Sequence, residues 1–414
     1  MDSKEESVLV AGFNTRPLAY SLSIAGYAVY AVDFFGDLDL YPYVKDCLIL
    51  TKKLNSSYNL IKNNYSEYLP LLILELLEQY PEIKYLVIGS GMDDAIEERN
   101  LILKEIKQKN YKIINLNNEI EAIKKTRDIE FIFNYLKNEG FEVPRTIPFE
   151  EYKLKENELE YPFVLKKRSG SGGTNVYKIH SRTDLSFIIN LIRETFEPKD
   201  WFLQEYIEGN PVSCTTISNG VESKLISVNN QIVGDKYLNT PKEFMYCGNV
   251  VPANLFEEEK KLIVDISLKL STELRLKGIN GFDFVLRNQY PYLMEINPRI
   301  PGSIRASEEA MNINLLDLYI KSFMDMEWEY IKKTLNAAKI ENFTTKMIFF
   351  SPKEIEKNQI IKINDLEYVH DKSEPFKNIN KGEPVCTILF KSNSFSDSYL
   401  GCLKVVDKIK MIIK

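Results

Sequence analysis

The chain opens with a short apolar run, Val8 to Ala11, which Gly12-Phe13-Asn14-Thr15-Arg16-Pro17 interrupts. Apolar residues at helical spacing follow from Leu18 to Ala25 and stop at Gly26; a second apolar run, Tyr27 to Val32, closes on Asp33. Strand, helix and strand within about thirty residues predict the parallel crossover from which doubly wound sheets are built. Further apolar runs at Leu48 to Leu50, Tyr85 to Ile88 and Ile113 to Ile114 alternate with helical patterns around 67–79 and 95–109. Residues 1–116 are therefore expected to form one α/β domain.

A helix is expected over 128–138, with Gly140 as its stop, before a turn at Val143-Pro144-Arg145-Thr146 and an acidic stretch through Glu160. Then the pattern changes. Tyr161 to Lys167 and Val176 to Ile179 read as strands around a glycine-rich loop, 183–194 as a helix, and Trp201 to Ile207 as a third strand. Antiparallel pairing across a glycine hairpin is the arrangement this order predicts. Short strands over 212–235, an amphipathic helix over 257–275 and a hairpin of 281–287 with 290–296, turning at Asn288-Gln289, come next. Beyond residue 331, strands near 346–350, 368–369 and 384–391 are expected to form a small β-rich domain of their own.

Composition narrows the function. With 414 residues, 44% hydrophobic and 27% charged, the chain is an ordinary globular one with room for two to four domains at about 150 residues each. A net charge of −6 gives no general attraction to phosphate backbones or anionic lipid, so neither nucleic acid nor membrane is expected as a partner. No secretory leader or membrane span is expected. Five scattered cysteines, Cys47, Cys214, Cys247, Cys386 and Cys402, include no C-x-x-C pair, so a reducing cytoplasm is expected, without disulfides or zinc. The two histidines, His180 and His370, are too few and too far apart for a histidine metal site or a Ser/His/Asp triad. Chemistry is left to Lys, Arg, Asp, Glu and the backbone.

Three clusters could carry it. Lys166 ends an apolar strand and is followed at once by Ser169-Gly170-Ser171-Gly172-Gly173, so that backbone N–H groups and one ammonium can converge on phosphate oxygens. No Gly-Lys-Ser/Thr follows, which excludes a Walker loop. Second, Gln204-Glu205-Tyr206-Ile207 could offer a backbone edge and an apolar side chain to an adenine, or form a plain edge strand. Third, Asp283 lies on one strand of the hairpin, and Glu295, Asn297 and Arg299 on or just beyond the other. Strand alternation puts Glu295 and Asn297 on one face, and pairing of the strands would bring Asp283 to them. Two carboxylates and an amide oxygen suit Mg²⁺, with Mn²⁺ as a substitute, while Arg299 would balance developing negative charge.

In this order and spacing, over roughly residues 117–325, the clusters resemble the ATP-grasp superfamily, and in particular a largely archaeal branch of biotin-carboxylase-related carboxylate-amine ligases. The resemblance implies an α/β protein in three parts. These are a Rossmann-like pre-ATP-grasp domain (1–116), an α+β ATP-grasp domain (117–330, with a small lobe over about 125–208 and a large lobe over 209–330) and a β-rich C-terminal domain (331–414). It implies that Lys166 and the loop Ser169, Gly170, Ser171, Gly172 and Gly173 hold the phosphates of ATP. It also implies that Gln204, Glu205, Tyr206 and Ile207 hold adenine, and that Asp283, Glu295 and Asn297 bind Mg²⁺. An earlier family lysine has no clean match: Lys124, Lys125 and Arg127 lie near its place, with Lys125 or Arg127 favoured.

The expected activity is an ADP-forming carboxylate-amine or carboxylate-thiol ligase working through an acyl phosphate, with Lys166 and Arg299 as catalytic groups. Its substrates would be small molecules, and a homodimer is compatible with the resemblance. Ile300-Pro301-Gly302-Ser303 replaces the Gln-x-Glu-His continuation of biotin carboxylases and disfavours the rival reading as a carboxylase. A nucleotide sensor without turnover is the other rival. Asn14, Arg16 and Ser90, at the carboxyl ends of the first-domain strands, are candidate substrate contacts. Arg305 is either another or a solvated arginine at a helix start.

Overall fold

The computed structural model describes residues 6–62, 64–154, 158–170 and 172–414. Strands β1 (Ser7–Gly12), β2 (Ala28–Asp33), β3 (Asp46–Ile49), β4 (Tyr85–Ile88) and β5 (Ile114–Asn115) form one parallel sheet in the order β3-β2-β1-β4-β5. Every residue of β1 and β2 is buried, as in a sheet covered on both faces. The strand order reverses between β1 and β4, which sets the loops after them side by side. There Phe13 N–H donates to Ser90 O at 2.8 Å, and a Cβ on Gly12 would lie 2.8 Å from the same oxygen, so only glycine allows the approach. Strand β3 begins earlier than the apolar pattern predicts and ends at Ile49, because its neighbour β2 runs out at Asp33, the partner of Ile49.

A second, antiparallel sheet joins β6 (Thr146–Pro148), β7 (Phe163–Lys167), β8 (Val176–Ile179) and β9 (Trp201–Glu205) in the order β6-β9-β7-β8. The predicted strand to Ile207 stops at Glu205. Its partner there is Phe163, the first residue of β7, and Pro162 before it has no N–H to extend the ladder.

The third sheet has eight strands: β10 (Asn210–Asn219), β11 (Ser223–Val233), β12 (Tyr246–Val251), β13 (Lys277–Arg287), β14 (Tyr290–Asn297), β15 (Phe343–Phe350), β16 (Val369–His370) and β17 (Pro384–Ser392). The order is β14-β13-β10-β11-β12-β15-β17-β16. Strands β15 to β17, expected as a separate β unit, continue the large-lobe sheet, since β15 pairs along the edge that β12 would otherwise leave open. Helices Lys357–Asn364 and Phe395–Ile413 make this last segment mixed rather than β-rich.

The two faces of this sheet differ in chemistry. Val212, Cys214, Val228, Phe282 and Phe284 pack with Ile263, Ile266 and Leu270 of helix Glu257–Glu273. On the opposite face the register places a polar row across six strands: Glu295 opposite Asp283, Asp283 opposite Ser213, Ser213 opposite Asn229, Gln231 opposite Asn249, and Asn249 opposite Lys346. The segment around Ser303 and helix Ile304–Met311 cover this row, with Ser303 and Ser307 bonded to Thr215 and Ser227.

Candidate active site

The hairpin of β13 and β14 builds the centre. Asn288 and Gln289 occupy the left-handed region at φ 51° and 66°, as a two-residue type I′ turn requires. Asp283 faces Glu295, and the register then slips by one residue so that Phe284 faces Leu293. Met294 is the extra residue of this bulge, and its carbonyl accepts from Lys166 Nζ at 3.0 Å, tying the small sheet to the large one. Asp283 Oδ2 accepts from Asn297 Nδ2 and Oδ1 from Gln231 Nε2, each at 2.8 Å. Burial, with Glu295 adding like charge, pushes the Asp283 carboxyl up to about 6. Glu295 lies 3.2 Å from Arg127 Nη1 and 4.0 Å from Lys166 Nζ.

The loop after β4 of the parallel sheet completes the site. Arg299 Nε lies 2.8 Å from both oxygens of Asp93, and its Nη2 donates to Asn297 Oδ1 at 3.3 Å. Burial opposes the charge on Asp93, but Arg299 and Arg127 more than offset it and hold the carboxyl below its usual range. Asp94 Oδ1 lies 2.8 Å from Arg127 Nε, and its Oδ2 accepts from Gly170 N–H at 2.6 Å.

A cleft between the two sheets is lined by Arg127, Lys166, Gly170, Phe202, Leu293 and Glu295. Arg127 Nη2 is buried there without a hydrogen-bond partner, beside the Lys166 ammonium and the glycine-loop backbone. That donor set fits phosphate oxygens. A Cβ on Gly173, at φ 72°, would lie 1.8 Å from Phe244 O, so the loop requires glycine there. Among the described residues no three His, Cys, Asp or Glu side chains form a metal cluster. The oxygen set is two carboxylates and an amide, which fits Mg²⁺ that completes its octahedron with water and phosphate oxygens.

The match to known proteins falls on this region: residues 128–303 match the family model of the ATP-grasp domain. The chain carries an ATP-grasp domain over these residues. An uncharacterised protein of Methanocaldococcus jannaschii is 28% identical over 396 residues, 93% of this chain and 88% of that one. The fold of the chain also matches solved structures over almost its whole length. An L-amino acid ligase from Bacillus licheniformis gives a TM-score of 0.68 at 16% identity, covering 98% of each chain. A biotin carboxylase from Campylobacter jejuni gives 0.70 at 14% identity, covering 99% of this chain and 96% of that one.

The structure brings Lys166, Ser169, Gly170, Gly173, Glu295 and Arg127 to the cleft of the ATP-grasp domain; Ser171 lies outside the described residues. Of the three early cations, Lys124 pairs with Glu121 at the surface and Lys125 reaches over the Phe131 ring, so Arg127 alone of them lines the cleft. Gln204 shares the Lys166 face of β7 and β9 and donates to Thr146 Oγ1 at 3.1 Å. Glu205 is instead paired with Arg287 at 3.0 Å, Tyr206 sits under Lys178 Nζ, and Ile207 is buried.

Two of the expected substrate contacts are already engaged. Arg305 bonds Glu308 and Glu309 at 2.5 Å each and stacks on Tyr20. Arg16 is buried against Asp371 at 2.7 Å and Asp39 at 3.6 Å. Both arginines meet carboxylates, and those of Arg16 arrive from distant segments that its local sequence does not reveal. Asn14 keeps a buried Oδ1 without a partner, and Ser90 stands beside it across the switch point. Sequence reasoning missed Asp93, Asp94 and Gln231. Two adjacent acids directly after Ser90-Gly91-Met92, at the carboxyl end of a buried strand, were the available signal for the first two.

Proposed function

We propose that the protein is an ATP- and Mg²⁺-dependent ligase that joins a small-molecule carboxylate to an amine or thiol through an acyl phosphate and releases ADP. The observation that carries this reading is the meeting of Asp283, Glu295 and Asn297 on one hairpin with Lys166 and Arg127 across the cleft. Bound Mg²⁺ would neutralise and orient the triphosphate at Asp283, Glu295 and Asn297. Lys166 and Arg127 would hold phosphate oxygens, and Arg299, fixed by Asp93, would face the negative charge that develops on transfer. A substrate carboxylate oxygen bonds to the γ-phosphorus as the bond to ADP breaks. The amine nitrogen or thiol sulfur then attacks the acyl carbon, the acyl-oxygen bond breaks and inorganic phosphate leaves. Catalysis of this kind rests on positioning and charge, and needs no protein nucleophile.

The polar row from Asp283 to Lys346 supports a substrate position under residues 301–303. Asn229 Oδ1 and Asn249 Nδ2 are fully buried there without partners, and groups of this kind ordinarily meet water or a ligand. Pro301, which packs against Gly281, and Gly302, whose carbonyl takes Lys346 Nζ at 2.9 Å, stand where a carboxylase continues with polar side chains. The L-amino acid ligase and the biotin carboxylase match the fold about equally, so the choice of ligation over carboxylation rests on residues 301–303. The five free thiols suit a reducing compartment such as the cytoplasm, and no helix among the described residues is long and apolar enough to cross a membrane.

Incubation with ATP, Mg²⁺, hydroxylamine and a panel of amino acids and other carboxylates tests the reading. A hydroxamate formed with stoichiometric ADP is expected. Formation of AMP and pyrophosphate would replace it with adenylation, and ATP hydrolysis driven only by bicarbonate would replace it with carboxylation.

A further inference from the structure

Asp94 holds two groups that a nucleotide phosphate would need. Its Oδ2 takes the Gly170 N–H at 2.6 Å and its Oδ1 lies 2.8 Å from Arg127 Nε. A glycine-loop N–H and a guanidinium beside an ammonium form a typical setting for a phosphate oxygen, and a carboxylate is the protein group that imitates one. We propose that Asp94 is an internal stand-in for phosphate, occupying an anion position of the cleft in the nucleotide-free protein and giving it up when the triphosphate binds. This rests on the ATP-site reading above.

Three observations favour a stand-in over a permanent ion pair. The contact satisfies Arg127 poorly: Nε is close to Asp94 but off the line of a hydrogen bond, and the buried Nη2 has no partner. The position also suits Asp94 poorly, because burial raises its carboxyl above the usual range and Asp93 and Glu295 add to the rise while Arg127 opposes it. Finally, Lys166 and the glycine-loop residues Gly170 and Gly173 already line the cleft beside it, so a phosphate that displaced the carboxylate would find its other donors in place. One N–H makes one strong hydrogen bond, so Gly170 cannot serve Asp94 and a phosphate oxygen together.

The test uses the full-length protein and MgATP. Titration calorimetry on the wild type and Asp94→Asn should show about tenfold tighter binding by the variant, the worth of one charge-assisted contact no longer in competition. In the nucleotide-free protein, Asp94→Ala should speed hydrogen exchange at the Gly170 amide, and MgATP should restore its protection. Equal or weaker binding by Asp94→Asn, or unchanged Gly170 exchange in Asp94→Ala, overturns the proposal and leaves the ATP site standing. Absence of MgATP binding in the wild type and in both variants overturns the ATP-site reading and the stand-in with it.

Discussion

Replacing Asp283 by Asn should stabilise the nucleotide-free protein while disabling it. The carboxyl sits at about 6 against an ordinary 3.8, because it is fully buried and faces Glu295. At 1.36 kcal/mol per unit, keeping it ionised costs the folded state about 3 kcal/mol. The sign follows from where the protons are held. As pH rises through about 4 the unfolded chain gives up this proton, whereas the folded chain keeps it until about 6. Stability is therefore lost across that interval, and the penalty is constant above it. Asn carries no such penalty. Its amide would meet the donors of Gln231 and Asn297, and the Gln231 amide can turn its oxygen inward at a cost of about 1 kcal/mol. About 2 kcal/mol of stabilisation remains at pH 8. For a chain of 414 residues unfolding as one unit this corresponds to a Tm rise of roughly 2 °C. Scanning calorimetry in EDTA at several pH values reads it directly: the rise should be full at pH 8 and shrink towards zero near pH 4. Turnover should fall by about 10² or more, since a charge facing the metal is removed. A Tm that falls at pH 8, or a shift that does not change with pH, would refute the argument.

Three further outcomes are expected. Asp93→Asn breaks a buried pair with Arg299, so it should lower stability by about 3 kcal/mol, and the double variant Asp93→Asn with Arg299→Met should recover most of that loss in urea unfolding. Arg305→Met should lower the Tm, because Glu308 loses a partner in a buried setting, while leaving the KM of any accepted carboxylate unchanged; a KM rise of tenfold would return Arg305 to the substrate site. Lys166→Ala should weaken MgATP binding by about tenfold in titration calorimetry and lower the Tm only slightly, since a phosphate contact and the hydrogen bond to Met294 O are lost but no core volume.

By itself the sequence determined everything that depends on period and neighbourhood. Apolar runs separated by a helix marked the parallel sheet, and alternation placed Glu295 and Asn297 on one face of a strand that a hairpin would bring to Asp283, though it did not show the bulge at Met294. Lysine before a glycine loop likewise marked where backbone N–H groups and an ammonium would come together, since that needs only local geometry. What the tertiary structure alone decided was which charges face the cleft. Arg305 and Arg16 look in the sequence like Arg127, yet the first two are paired by Glu308, Glu309, Asp371 and Asp39, and only Arg127 reaches the cleft. Tertiary structure also carried the large sheet across residue 331, because β15 finds the edge of β12 nearly a hundred residues away. It placed Asp93 and Asp94, in the loop after β4, against Arg299 and Arg127. Pairing between segments so distant is fixed by edges, burial and charge that exist only after the chain has folded, and no local period records it.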